Sequence, residues 1–331
     1  MSYNPRPSPL KETGCVELRT GTPYANLIAN QVRFAAKVAE CFGITPRDIL
    51  PTSGTTGAIE AVRNHVFRVS GKAIPTVLTV CPGYWRARES FVGFGFEVRA
   101  LNTQPLGFSI DERSFVDELH NVRADLIYLS LPNNPTGAIF DPDSIIERVS
   151  DETAIALDLT LPSQGLDTRQ LTRRLYEKFN GRPNLFLVGS TSKSNTTAEY
   201  RIGWLICAKS EDASVLKEEN RNVVASVAID RGIEALQVIP SVLQSIGESF
   251  ALLEQGEKAN RLEIVRPDKR VETGYVLIRS RTSPGGLRIT LDKLNIRVMW
   301  GSEFGLSDEY IRLETLEPYN IKVFVEAVSA G

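Results

Sequence analysis

From Ile44 onward, short runs of β-forming residues alternate with polar or amphipathic helical stretches, and this alternation narrows the fold more than any other feature. The clearest runs are 76–81 (TVLTVC), 125–131 (DLIYLSL), 154–159 (AIALDL) and 185–189 (LFLVG). Apolar residues occupy consecutive positions in each run, so both faces of each strand need cover. Strands sandwiched between two helix layers have that property. The pattern predicts an α/β fold built on a large, doubly wound, mostly parallel sheet.

The alternation stops near Ser210. From there to Gln255 glycines are few, and the chain reads as long helices interrupted near Pro240. Beyond it, 271–279, 286–290, 296–300 and 310–315 read as strands of a smaller α+β unit, closed by a last helix after Pro318. At 331 residues the chain exceeds the roughly 250–300 at which a single core stops growing. The expected organisation is a large domain over 26–239, with residues 1–25 and 240–331 forming a small one.

Composition excludes several functions. Lys plus Arg total 38 against 40 Asp plus Glu, so no bulk charge recruits nucleic acid or an acidic membrane. No apolar run approaches the roughly 18 residues that span a bilayer, and the N-terminus carries Pro5, Pro7 and Pro9 where a leader would be apolar. The two histidines, His65 and His120, cannot build a multi-histidine metal centre, and no metal site is expected. Cys15, Cys41, Cys81 and Cys207 are scattered without a framework spacing, which fits reduced thiols and a cytoplasmic protein. The expected partner is a small molecule.

Four motifs carry chemistry. Pro51-Thr52-Ser53-Gly54-Thr55-Thr56-Gly57 precedes a helical pattern, and such a helix start is either an ordinary Ser/Thr cap or an anion site made of exposed amides. Asn133-Asn134-Pro135-Thr136-Gly137 follows an apolar strand; it is a turn of favourable residues, placed where open α/β sheets bind ligands. Asp158 ends the apolar run Ala156-Leu157-Asp158-Leu159 and needs a partner, either a structural cation or a protonated ring nitrogen. Ser190-Thr191-Ser192-Lys193 follows another strand, with Arg201 eight residues beyond the lysine. A lysine amine held neutral forms imines with carbonyls, and arginine grips phosphate.

In order, G-T-T at Gly54, P-x-Y ending at Tyr84, N-N-P-T-G, the strand-end Asp158 and S-x-S-K with Arg201 resemble the class I/II aminotransferases, most of all the histidinol-phosphate aminotransferase-like members. The resemblance runs from about Leu50 to Trp204, and Tyr310-Ile311-Arg312-Leu313 resembles the family's C-terminal segment. It implies a fold type I enzyme dependent on pyridoxal 5'-phosphate (PLP), acting as a homodimer on an L-amino acid and a 2-oxo acid. Lys193 would hold the cofactor as a Schiff base and move the substrate's alpha proton. Asp158 would keep the pyridine nitrogen protonated, Asn134 would reach the ring's phenolate oxygen and Tyr84 would stack on its face. Gly54, Thr55, Thr56, Ser190, Ser192 and Arg201 would hold the phosphate. Arg312 would clamp the substrate carboxylate, with Asn134 beside it. Tyr24 is the candidate for the tyrosine that, in family dimers, reaches the partner subunit's site.

Two positions depart from the family pattern. Leu161 stands where a tyrosine commonly reaches the phenolate oxygen, and Glu199 stands where a small residue is usual. Both bear on which reaction the cofactor serves. The same scaffold supports decarboxylation, elimination, cyclisation and oxidation, and a binding protein without turnover is the reading of another class.

Overall fold

The computed structural model describes residues 24–193, 197–220, 224–237 and 242–330, excepting the side chains of 24–28 and 330. Helix α1 (Tyr24–Phe42) leads into β1 (Ile49–Thr52), α2 (Gly54–Val69), β2 (Thr76–Cys81), α3 (Trp85–Phe94) and β3 (Glu97–Asn102). Then come α4 (Glu112–Val122), β4 (Leu126–Ser130), α5 (Pro142–Ile146), β5 (Ala154–Asp158), β6 (Ser163–Gln164) and α6 (Thr168–Lys178). β7 (Leu185–Ser190) and β8 (Gly203–Cys207) complete the large sheet, followed by α7 (Ser210–Glu219), α8 (Ser226–Gln237) and α9 (Val242–Lys258). The last part holds β9 (Leu262–Ile264), β10 (Glu272–Thr273), β11 (Tyr275–Ser280), α10 (Pro284–Lys293), β12 (Met299–Trp300), β13 (Tyr310–Glu314) and α11 (Pro318–Ala330).

Among the described residues, seven strands form the large sheet in the order β1-β8-β7-β5-β4-β2-β3. β8 alone runs against its neighbours, and every other adjacent pair is parallel. Successive residues of the central strands feed opposite cores, as the period of two demands. Ile127 and Leu129 join Phe34, Val38, Phe115 and Leu175 on one face, while Leu126 and Tyr128 join Val62, Val66, Ala87 and Phe91 on the other. The sheet is doubly wound and mostly parallel, as the apolar runs require. β1, β3 and β8 are absent from the runs read as strands above, and β3, at the sheet edge, is largely exposed.

The four-stranded antiparallel sheet β12-β13-β11-β9 packs one face on α9, α10 and α11 through Ile246, Phe250, Ile278, Ile311 and Phe324. Its other face meets the large sheet's surroundings, where Leu277 and Tyr310 pack with Phe108 and Trp85. The ribbon β6–β10 adds a second tie between the two sheets, pairing Ser163 with Thr273.

One expected strand is a helix. Residues 286–290 lie inside α10, because Ser283 caps its start by accepting from the Gly286 amide and Pro284 occupies the first turn. Leu287 and Leu291, four residues apart, then bury on one face. Of 296–300 only Met299–Trp300 is strand, and 271–279 divides into β10 and β11 around Gly274. The expected break at Pro240 and residues 1–23 lie outside the described residues. Among the described residues no single helix is long and apolar enough to cross a membrane.

Candidate active site

The motif residues meet because parallel strands present their carboxyl ends along one edge. Thr52, Cys81, Ser130, Asp158 and Ser190 end β1, β2, β4, β5 and β7, and the antiparallel β8 starts at the same edge just after Arg201. A pocket of about 590 Å³ opens there, lined among others by Thr56, Tyr84, Asn134, Asp158, Lys193 and Arg312. A cavity of about 690 Å³ lies next to it, lined by Leu187, Trp204, Asp167 and Arg169 among others. The smaller of the two is the chemical one, since it gathers the lysine, the buried carboxylate and the arginines Arg86, Arg201 and Arg312.

At one end of the pocket the chain builds an anion cradle. α2 begins at Gly54 in the left-handed region, φ 69°, and Ser53 makes no side-chain cap bond, so the first-turn amides are left for a ligand. The guanidinium of Arg201 lies over Gly54, where a Cβ would approach it to 3.2 Å, and donates to Thr56 Oγ1 at 3.1 Å. Ser192 lines the pocket, whereas Ser190 is turned behind it, bonding Ile202 O at 2.9 Å and Ser192 Oγ at 2.8 Å. Thr55 Oγ1 and Thr160 Oγ1 are 3.0 Å apart.

The middle of the pocket is set by Asp158. Its carboxylate is buried and accepts from the Tyr128 hydroxyl at 2.7 Å and the Thr160 amide at 3.0 Å. Burial raises its pKa above the usual aspartate value, and these donors only partly oppose the rise. Burial likewise pushes the Tyr84 hydroxyl up, aided by Asp158. Asn134 is buried in the N-N-P-T-G turn, and among the described residues its Oδ1 has no hydrogen-bond partner. Gly137 closes that turn with φ 69°, in a space where a Cβ would strike Val271 O at 2.5 Å. Leu161 faces the pocket at the departing position, while Glu199 is exposed and does not line it.

At the far end the small sheet supplies the remaining groups. Lys193 Nζ donates to Glu314 Oε1 at 2.8 Å and lies 5.0 Å from the Tyr275 ring centre. Burial pulls the Lys193 pKa down, but Tyr275 and Glu314 outweigh it and the net shift is upward. Arg312 stacks over the other part of this platform, its Cζ 4.3 Å from the Tyr275 ring centre, and among the described residues it has no carboxylate partner within ion-pair distance. Its pKa is lowered by burial.

Sequence reading missed Tyr128, Tyr275 and Glu314. Tyr128 and Tyr275 sit in strands where an aromatic reads as core. Glu314 carried a usable signal, since it follows Arg312 by two on a strand and therefore shares its face. Tyr24 begins α1, but its side chain lies outside the described residues. His65 is buried beside Glu219, and neither histidine lines the pocket.

A histidinol-phosphate aminotransferase of Sulfurisphaera tokodaii is 26% identical over 229 residues, covering 66% of this chain and 59% of that protein. The chain thus spans less than two thirds of the length of such curated relatives. A histidinol-phosphate aminotransferase from Sinorhizobium meliloti, solved in complex with pyridoxal 5'-phosphate, shares the fold with TM-score 0.73 at 18% identity, over 91% of this chain and 82% of that one. The L-threonine-O-3-phosphate decarboxylase of Porphyromonas gingivalis superposes with TM-score 0.68 at 17% identity, over 94% and 96%. Residues 28–246, about two thirds of the chain, match the family described as aminotransferase class I and II, and the chain belongs to that family.

Proposed function

We propose that the pocket binds PLP and that the protein is a PLP-dependent aminotransferase acting on an L-amino acid and a 2-oxo acid. The observation that carries this reading is the convergence of Lys193, Asp158 and Arg312 on one pocket from three separate elements. The residues fit the cofactor. Asp158 is a buried carboxylate with only neutral donors, Asn134 lines the pocket with an amide whose N–H groups can donate to an anionic oxygen, and Arg201 stands over an uncapped helix start. Each is costly or idle without a ligand of matching chemistry.

When bound, PLP supplies an aldehyde that joins amines and a ring that withdraws electrons from the substrate's alpha carbon. The chain does the rest. Arg201, with the amides of Gly54, Thr55 and Thr56 and the Ser192 hydroxyl, holds the phosphate, and Ser190 positions Ser192. Asp158 would hold a proton on the pyridine nitrogen, Tyr84 would lie against the ring and Asn134 would donate to its phenolate oxygen. Arg312 fixes the substrate carboxylate, and the Lys193 amine takes the proton from the alpha carbon and returns it.

The domain division near 240, a cytoplasmic location and a homodimer in which Tyr24 serves the partner's site belong to the same proposal. The free cysteines Cys41, Cys81 and Cys207 support the location. A second reading, decarboxylation or another reaction of the same scaffold, is favoured by one observation: Leu161 puts a hydrocarbon where the resembled family commonly has a phenol.

Borohydride reduction with PLP present should place a mass increment on Lys193, and Lys193→Ala should abolish both the increment and the visible absorbance. An increment on another lysine, or none, overturns the cofactor assignment. Incubation with single amino acids, products read by mass spectrometry, then separates the reactions: a 2-oxo acid supports transamination, and loss of carbon dioxide supports the second reading.

A further inference from the structure

The Lys193 amine is already engaged, and its partner comes from the small sheet. Glu314 follows Arg312 by two on β13, so both side chains point to the pocket side of the strand. Among the described residues Glu314 is the one carboxylate ion-paired with Lys193, at 2.8 Å. Glu314 itself stands outside the pocket lining, where the titratable or charged groups besides Lys193 are Tyr84, Arg86, Asp158, Arg201, Tyr275 and Arg312. The arginines disfavour a charged lysine, Asp158 is engaged by Tyr128 and Thr160, and Tyr275, whose ring centre lies 5.0 Å from the amine, favours the charged form alongside Glu314.

We propose that Glu314 is a positioning residue that clamps the Lys193 amine across the pocket, so that cofactor attachment requires breaking an ion pair between β13 and the Lys193 loop. The proposal rests on the PLP reading. Attachment needs the free amine: Lys193 releases one proton to solvent, and its nitrogen pair then bonds the aldehyde carbon while the aldehyde oxygen leaves as water with two protons from the nitrogen. Glu314 opposes the first event, because a carboxylate beside an ammonium stabilises the charged form. Its side chain is 46% exposed, against 26% for Lys193, so solvent and salt can reach the pair.

The test measures attachment itself. The full chain, freed of cofactor, is mixed with PLP over a range of pH, quenched with borohydride at early times, and the Lys193 peptide is quantified by mass spectrometry. Glu314→Gln keeps the side-chain shape and removes the charge. Its pH profile should shift downward by about half a unit, making early attachment at neutral pH about threefold faster. Added salt should move the wild-type profile the same way and the variant's much less. Coincident profiles, or slower attachment in Glu314→Gln, overturn the clamp while leaving the PLP reading intact. If the variant does not fold, a wild-type profile unmoved by salt overturns it equally. Failure of wild type to attach PLP at any pH would overturn the PLP reading, and the clamp with it.

Discussion

The Tyr128 hydroxyl donates to Oδ2 of Asp158 at 2.7 Å, from the strand beside it. In the β4–β5 register Tyr128 stands opposite Ala156 and Ser130 opposite Asp158, so the tyrosine reaches forward along the neighbouring strand to a carboxylate at its end. Both residues are buried, and the carboxylate receives neutral donors only. Such a group is held ready for a cation at a cost to the folded protein.

That cost predicts the stability of Asp158→Asn. Burial raises the folded-state pKa of Asp158 above its ordinary value of 3.8, so the folded protein binds this proton more tightly than the unfolded chain does. Stability therefore falls as pH rises from the usual carboxylate range through the raised value, and the penalty is complete above it. Asparagine carries no such penalty. Its oxygen can accept from the Thr160 amide and its NH₂ can donate to the Tyr128 oxygen. Cofactor-free Asp158→Asn should melt above wild type at neutral pH, with the gap closing as pH falls to the carboxylate range. The same variant should slow any step that puts negative charge on the substrate's alpha carbon by orders of magnitude. Thermal melts across pH check the first expectation and turnover the second. A less stable variant at neutral pH would mean that the donors fully offset burial.

Tyr128→Phe should push the Asp158 titration further up. The hydroxyl is one of the groups that lower the Asp158 pKa, so its loss lets burial push the pKa higher. As pH is lowered the variant should release PLP at a higher pH than wild type, and it should lose about 1–3 kcal/mol of stability. Absorbance of retained cofactor against pH reads the first effect, and denaturant unfolding reads the second. Equal release profiles would leave Tyr128 with a packing role only.

The central strands and the pocket's floor were legible because their signals are local. β2, β4, β5 and β7 are runs apolar on both faces, and Asp158 and Lys193 stand at strand ends where polarity resumes abruptly. The small sheet was less legible. Residues 286–290 alternate glycine, apolar and polar residues much as a strand does, and a Ser-Pro helix start just upstream decides the outcome. Tyr275 and Glu314 escaped because their roles depend on a contact between two sheets whose residues lie over 80 positions apart from Lys193.

Gly203→Ala should damage the cradle through the backbone. β8 passes so close to its neighbours here that a Cβ would lie 2.7 Å from Gly189 O and 2.8 Å from the Gly54 carbonyl carbon. Those atoms cannot rotate away as a side chain can, so β8 or the start of α2 must shift. The expected loss is about 1–3 kcal/mol of stability, together with weaker binding of PLP through its phosphate. Unfolding curves and a PLP titration check it. Unchanged affinity with lowered stability would mean that α2 keeps its place and β8 gives way.

Arg312→Lys tests whether the substrate is an alpha-amino acid. The guanidinium is desolvated, stacked over Tyr275 at 4.3 Å, and unpaired with any carboxylate among the described residues. A half-buried cation without a carboxylate partner is unfavourable, so its place is set by a ligand anion or by the ring. Arginine can present two parallel N–H groups to a carboxylate, and lysine, a point charge on a flexible stem, reproduces neither that fork nor the stacking. The substitution should weaken amino acid binding by about 1.5–3 kcal/mol, roughly one to two powers of ten, while leaving the cofactor's absorbance unchanged. A simple amine without a carboxylate should be handled equally by both forms. Wild-type affinity for every amino acid substrate in Arg312→Lys would place the carboxylate clamp elsewhere, with Arg86, the other arginine of this pocket away from the phosphate cradle, as the next residue to replace.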